Sequence, residues 1–229
     1  MVVTPRCECS EEKTILVARE RDTFQMFAGA VQPKCAPSMV LEDGRTMILL
    51  DEEWTASMFC ECVNLDEAHV IECTNLQIDA GWIDALLKAF FVNEWRFFCC
   101  DMSAAHHLHR MIDKHYEHSL VFINSPLSMA QFTHLFLYAN KKTMLSFDLS
   151  VHPHYFECIP SNLSLGFLKL GNLGLSEHLE QLKTLRFKSL NTLYICDCDL
   201  TTDQVGRLSK AWNADFPFVH DTDVPQEKE

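Results

Sequence analysis

The sequence predicts a right-handed α/β solenoid of about six repeats, with a parallel sheet on its concave face and helices on its convex face. Three observations lead to this fold class. The chain has 229 residues, 48% of them apolar, and can therefore bury one large core. Apolar residues recur with a period near 25 residues. Within each period, the apolar spacing changes from the alternation of a strand to the spacing of a helix.

The repeat is clearest when Leu200 is taken as an anchor. Its equivalents toward the N terminus, at intervals of 23 to 26 residues, are Leu175, His152, Leu127, Met102 and Leu76. Five residues before each anchor the side chain is always apolar: Ile195, Leu170, Phe147, Phe122, Phe97 and Ile71. Two residues before it the side chain is small in five copies of six: Cys198, Leu173, Ser150, Ser125, Cys100 and Thr74. Small polar side chains there are predicted to hydrogen-bond the backbone where it leaves the strand.

The segment after each anchor predicts a helix that returns the chain to the next strand. In the last copy, Val205, Leu208 and Trp212 have the spacing of one helix face. Either Thr201 or Asp203 is expected to cap this helix. A single unit cannot bury its apolar face alone, so stacked copies must share one core.

The best copy, "LNTLYICDCDLTTDQVGRLSKAW" over 190–212, resembles the leucine-rich repeats, in particular the ribonuclease-inhibitor-like and cysteine-containing subtypes. The resemblance implies a horseshoe and covers roughly residues 66–213. Residues 1–65, with strand-like segments at 13–18 and 46–50, are then predicted as an N-terminal cap region. Residues 214–229 are predicted as an acidic, disordered tail.

The outward positions of the predicted strands form a mixed apolar and charged stripe on the concave face. They are more apolar than solvated strands require, which is typical of a surface that binds another protein. The predicted binding residues are Glu94, Arg96, Phe98, Val121, Ile123, Ser146, Asp148, Phe167, Lys169, Tyr194 and Cys196. The cysteine-containing repeats are found in F-box-associated proteins, so the resemblance implies a possible substrate-recognition subunit of a ubiquitin ligase.

Composition favours a non-enzymatic adaptor over other classes of protein. The net charge of −13 repels nucleic acid and anionic membrane surfaces. No apolar run reaches the length of a membrane span, and no glycine-rich phosphate loop is present. We therefore expect an intracellular protein of the cytoplasm or nucleus, with another protein as its partner. No catalytic residue, cofactor, metal or small-molecule substrate is expected.

The eleven cysteines are an odd number in a long chain, which favours reduced thiols. Cys100 and Cys198 are predicted to be buried at equivalent positions of their repeats. Cys196 is predicted to point out of the opposite, exposed face.

A second hypothesis is a cysteine-based zinc-binding or redox-sensing protein. Its candidate ligands are Cys60, Cys62, Cys73 and Cys99. The hypothesis depends on Cys73 and Cys99 occupying the same position in adjacent copies, with Cα atoms about 5 Å apart.

A third hypothesis, a thiol hydrolase, would pair Cys99 or Cys100 with a nearby histidine as its base. The candidate histidines are His106, His107, His109, His115 and His118. The alternative for these histidines is a solvated outer face of the returning segment.

Overall fold

The computed structural model describes residues 38–42, 45–62, 68–89, 92–112 and 117–220. Nine strands in these residues form one sheet, in strict chain order. They are β1 (Ser38–Glu42), β2 (Arg45–Leu50), β3 (Val70–Thr74), β4 (Glu94–Phe98), β5 (His118–Ile123), β6 (Thr143–Asp148), β7 (Leu163–Gly171), β8 (Phe187–Cys196) and β9 (Ala214–His220). β1 pairs with β2 antiparallel, and the eight strands from β2 to β9 are parallel. The predicted α/β class with a parallel sheet is confirmed.

Short helices and 3-10 turns make the crossovers between the parallel strands. The α-helices are α1 (Ala56–Cys62), α2 (Ala80–Leu86), α3 (Met129–Tyr138), α4 (Leu179–Leu182) and α5 (Thr202–Ala211). The 3-10 turns are Leu108–Met111, Pro153–Cys158 and Ser176–His178. No helix in the described part of the chain has the length and apolar content needed to cross a membrane.

The helices begin where the sequence has a capping side chain. Thr201, one of the two caps that the sequence offers for α5, accepts a hydrogen bond from the backbone N–H of Gln204. Asp203, the other candidate, instead forms an ion pair with Arg207. Ser128 caps α3 in the same way. These caps satisfy N–H groups that a helix start would otherwise leave unpaired.

Strand pairing places equivalent residues of the successive strands side by side. One core-facing row across the sheet is Ile48, Ile71, Trp95, Leu120, Leu145, Leu168 and Leu193. Its members are 23 to 25 residues apart in the sequence. The apolar period of the sequence therefore corresponds to one strand and one crossover.

The pairing of β3 with β4 shows that the predicted alignment of the first repeat copy with the second is wrong by two residues. Ile71 lies opposite Trp95, not Phe97, and Cys73 lies opposite Phe97. Gln77 bridges to Asp101, so the equivalent of Met102 is Ile78 and not Leu76. A shift of two residues keeps the same side chains on the same face of a strand, so apolar alternation cannot detect it.

The sheet extends beyond the predicted repeat region of 66–213 at both ends. The strand predicted at 46–50 is confirmed as part of β2. The predicted tail is corrected for Ala214–His220, which forms β9 and pairs with β8. The strand predicted at 13–18 and the last nine residues lie outside the described residues.

A single apolar cluster fills the space between the sheet and its crossovers. Phe97, Phe122 and Phe147 are fully buried and stack across β4, β5 and β6, with ring centroids 5.3 and 5.7 Å apart. The crossovers contribute Phe132 from α3 and Trp212 from the end of α5. The indole N–H of Trp212 donates to the carbonyl oxygen of Leu182 at 2.7 Å. Among the described residues, these crossovers lie on one side of the sheet, whereas side chains on the other side of β4 to β8, such as Arg96 and Val121, are partly exposed. At β2 and β3 that other side is buried, since Met47 and Val70 form a small separate cluster there.

A left-handed residue ends each of the strands from β3 to β8. These residues have φ between 48° and 57° and are Asn75, Cys99, Asn124, Leu149, Asn172 and Asp197. In the first five, the N–H donates to the last carbonyl of the next strand, at 2.8 to 3.3 Å. Asparagine and aspartate tolerate this conformation better than other residues with a side chain. This turn was not predicted from the sequence, although four of its six residues are asparagine or aspartate.

Candidate functional site

The sheet surface turned away from the core, which we call the open face, carries all eleven predicted binding residues. They fall in three adjacent rows of the pairing register across β4 to β8. Nine of the eleven are partly exposed, whereas Ser146 and Cys196 are each 7% exposed. Strand alternation and parallel pairing together place these residues on one face.

A depression of about 360 Å³ lies at the centre of the open face. Its lining crosses β4 to β7 and consists of Glu94, Arg96, Phe98, Ser119, Val121, Ile123, Met144, Ser146, Phe167 and Lys169. The predicted set omitted Ser119 and Met144, which lie in the same register row as Glu94 and Phe167. Tyr194, Asp148 and Cys196 do not line it. The middle of the depression is apolar, and its charged groups lie toward its two ends.

Ion pairs hold the charged groups at the β4 end of the depression. Arg96 Nε is 2.7 Å from a carboxylate oxygen of Glu94, and Arg96 Nη1 is 3.9 Å from Glu72. Arg45 Nη1 reaches the other Glu94 oxygen at 3.1 Å. Arg96 also contacts Met47 Sδ at 3.6 Å. The Arg96 guanidinium is therefore fixed in place, with its charge compensated within the chain.

Lys169 supplies the charge at the β7 end of the depression, and unlike Arg96 it contacts an aromatic ring and no carboxylate among the described residues. Its Nζ lies over the ring of Tyr194, 5.6 Å from the ring centroid, as in a cation–π contact. Among the described residues it has no carboxylate partner within ion-pair distance. The nearby carboxylate of Asp148 instead accepts a hydrogen bond from Asn172 Nδ2 at 2.9 Å.

The prediction that Cys196 points out to solvent was wrong. Gly171 lies between Asp148 and Cys196 in the register and has no side chain to separate them. A Cβ atom on Gly171 would lie 2.8 Å from Asp148 Oδ2 and 3.2 Å from Cys196 Sγ. The thiol therefore occupies the space above the glycine, 3.7 Å from the carbonyl oxygen of Leu170. Burial raises the pKa of Cys196 and keeps it protonated.

Cys100 and Cys198 are buried, as the sequence predicts. Cys100 Sγ donates to the carbonyl oxygen of Cys73 at 3.3 Å, and Cys198 Sγ donates to that of Cys196 at 3.4 Å. Desolvation by burial raises the pKa of Cys198 to about 12. Both thiols act as small hydrogen-bonding groups at the strand ends and have little thiolate character.

The serines at the same position also hydrogen-bond the backbone of the preceding copy. Ser125 Oγ donates to the carbonyl oxygen of Phe97 at 2.9 Å and accepts from the N–H of Cys100 at 2.9 Å. Ser150 Oγ accepts from the N–H of Ser125 at 3.1 Å and donates to the carbonyl oxygen of Asp148. In the first copy, however, the bridge of Gln77 with Asp101 places Leu76, not Thr74, at this position.

Cys73 and Cys99 do not occupy equivalent positions as the zinc or redox hypothesis requires, because Cys73 pairs with Phe97. Cys73 faces the core and is 1% exposed, and burial raises its pKa. Cys99 is exposed in the left-handed turn after β4. Cys60 is exposed on α1, 3.5 Å from Lys88 Nζ. The side chain of Cys62 lies outside the described residues, within which no group of three potential ligands could hold a metal ion.

Of the histidines in the third hypothesis, His107 and His109 lie close together, with ring centroids 6.1 Å apart, and His118 lies on β5. His109 is in the 3-10 turn Leu108–Met111 and stacks on Tyr138 of α3, with ring centroids 4.4 Å apart. Burial lowers the pKa of His109, and His134 and His107 lower it further. His118 is buried on β5, 5.3 Å from the Trp95 ring.

Two of the five histidines are exposed and one is not described. His106 and His107 lie on the surface before the 3-10 turn, and His115 lies outside the described residues. Cys99 contacts Asn124 Nδ2, and Cys100 bonds to backbone carbonyls. Within the described residues, neither thiol is therefore paired with a histidine base.

Comparison with known proteins adds no relative. No family model, curated protein or solved structure matches this chain. The interpretation of the open face therefore depends on its own geometry, charge and exposure.

Proposed function

We propose that this chain is a leucine-rich-repeat-like solenoid that binds another protein on its open face, which would be the concave face of the horseshoe. In this proposal it is a non-enzymatic adaptor of the cytoplasm or nucleus, for example as a substrate-recognition subunit of a ubiquitin ligase. The observation that carries the binding role is the partly exposed, largely apolar depression on the open face across β4 to β7.

Three regularities support the solenoid. The strands follow one another across the sheet in chain order, 23 to 25 residues apart. Ser125, Ser150 and Cys100 bond the backbone at one repeated position. A left-handed turn ends the strand at another repeated position. Units that bury their apolar faces only against neighbours are the defining property of a solenoid.

The composition of the open face favours a protein over other partners. An apolar centre with aromatic and arginine side chains near it is common in protein interfaces. Charged groups of both signs lie near the depression, which therefore does not have the one-sided positive charge that nucleic acid requires. The chain as a whole has a net charge of −13, which disfavours nucleic acid.

A matched pair of triple variants tests the surface. The first replaces Phe98, Ile123 and Phe167 of the depression with alanine. The control replaces three exposed apolar residues of α3, Met129, Leu137 and Tyr138, which are 45%, 50% and 43% exposed. Partners are identified by affinity purification of the intact chain with mass spectrometry, and each affinity is then measured with the purified partner.

We expect the first triple variant to lose partner binding and the control to keep it, with both retaining the circular dichroism spectrum of the wild type. The opposite pattern, with binding kept by the first variant and lost by the control, would move the interface to α3 and contradict the proposal.

A further inference from the structure

We propose that the open face recognises a partner segment that carries one carboxylate close to a bulky apolar side chain, with the carboxylate at Lys169 and the apolar group in the depression. This inference rests on the proposed function, and it specifies the chemistry of the partner. It depends on a difference between the two charged ends of the depression.

The two ends differ in what their cations already bind. Arg96 at the β4 end has Glu94 at 2.7 Å and Glu72 at 3.9 Å, so a partner meets a compensated charge there. Lys169 at the β7 end has only the Tyr194 ring, and its ammonium leans toward β8, away from Asp148 on β6. The uncompensated positive charge of the depression is therefore at Lys169.

A partner that covers the depression also covers this ammonium. Lys169 and Tyr194 are already partly buried, so docking removes much of the remaining water from the charge. Removing water from a cation is unfavourable unless the partner supplies an anion or another strong acceptor. A partner with a carboxylate at this point offsets the cost, whereas a neutral or basic group there does not.

The surroundings favour a single carboxylate over a phosphate or an acidic tract. One lysine is a point charge, whereas dianionic phosphate groups are typically held by several cations or by the fork of arginine. Asp148 lies on the neighbouring strand and adds a negative charge nearby. The net charge of −13 also repels a strongly acidic partner at long range. One acid within an otherwise apolar segment satisfies all three conditions.

Strand geometry sets the distance between the partner's carboxylate at Lys169 and its apolar side chain in the depression. Lys169 on β7 and Val121 on β5 lie in the same register row, two strands apart. Neighbouring strands are about 4.8 Å apart, so the separation across the sheet is about 10 Å. An extended segment advances about 3.3 Å per residue, so the acid and the apolar residue should be about three positions apart.

The test begins with a random 12-residue peptide library displayed on phage and selected on the intact chain. We expect enrichment of peptides with one Asp or Glu two to four positions from Phe, Leu, Ile, Met or Trp. Binding of the selected peptides is then measured by fluorescence polarisation against the wild type, Lys169→Met and Lys169→Glu. Lys188→Glu is the matched control, because Lys188 is exposed on the neighbouring strand and does not line the depression.

We expect Lys169→Glu to weaken binding of the acidic peptide by about tenfold or more. Lys169→Met should weaken it less, and Lys188→Glu should leave it nearly unchanged. The same peptide with Gln in place of Glu should bind the wild type more weakly and lose its sensitivity to Lys169→Met. That coupling between the lysine and the acid is specific for a direct contact.

Two results would overturn the inference in different ways. If binding of the peptides requires Phe98, Ile123 and Phe167 but does not change with the charge at residue 169, the proposed carboxylate contact is wrong and the binding surface stands. The same conclusion follows if the selection yields basic peptides that require these three residues. If the selected peptides bind the triple alanine variant as well as the wild type, both the carboxylate and the binding surface are wrong.

Discussion

The two faces of the central strands β4 and β5 differ in burial: one face packs in the core, and the other is partly exposed. On the core face, Phe97 and Phe122 are fully buried and stacked. On the open face, their chain neighbours Phe98 and Ile123 are partly exposed and line a depression. Adjacent residues of one strand thus serve two purposes, because strand geometry sends them to opposite sides.

The difference shows how a repeated framework accommodates a variable surface. The core-facing row from Ile48 to Leu193 is apolar in every strand, since each member must fit against its neighbours at high packing density. The equivalent open-face row holds Glu72, Arg96, Val121, Ser146 and Lys169, which have no common chemistry. The partly exposed members of this row are less tightly packed than the core-facing row, so their chemistry can change at a lower cost in stability.

The largest expected contrast comes from truncating neighbours on the two faces of β5. Phe122→Ala should lower the free energy of unfolding by about 3 to 5 kcal/mol, because it leaves a cavity in the stack with Phe97 and Phe147. Val121→Ala on the open face should cost less than about 1 kcal/mol. Urea unfolding followed by tryptophan fluorescence measures both, since all four tryptophans are buried. Equal losses would mean that the open face is packed as tightly as the core.

A smaller contrast is expected between two serines. Ser125→Ala removes the acceptor of the Cys100 N–H and a donor to the Phe97 carbonyl, and should cost about 1 to 3 kcal/mol. Ser119→Ala on the open face should change stability by less than about 0.5 kcal/mol, as expected for a surface position. Ser125→Cys should recover part of the loss, because Cys100 and Cys198 show that a thiol fits this position. The same unfolding experiment applies, and a neutral Ser125→Ala would contradict the role of this serine.

The smallest expected change in the free energy of unfolding concerns the left-handed turn at Leu149, which follows β6. Leu149 has φ of 49° and is 56% exposed, whereas asparagine occupies the equivalent turn position at Asn75, Asn124 and Asn172. Leu149→Asn should raise the free energy of unfolding by about 0.5 to 1 kcal/mol by relieving the left-handed penalty. The reverse variant, Asn75→Leu, should lower it by a similar amount. A destabilising Leu149→Asn would show that the leucine side chain has contacts worth more than the strain.

The candidate site could be predicted from the sequence because its residues depend on two regular properties. Alternation within a strand and repetition between strands together place Arg96, Val121 and Lys169 in one row without any knowledge of side-chain packing. The failure at Cys196 has a different origin. Its burial depends on the missing side chain of Gly171 on the next strand, which no pattern within β8 contains.

The amino-acid sequence by itself determined the α/β class, the period and most of the core-facing residues, because each of these follows from spacing along the chain. Only the tertiary structure decided the register of the first copy, the extension of the sheet by β9, the burial of Cys196 and the separation of Cys73 from Cys99. The physical reason is that a strand can slip by two residues without exposing its apolar face. Hydrogen bonds and contacts with the neighbouring strands are needed to select one register.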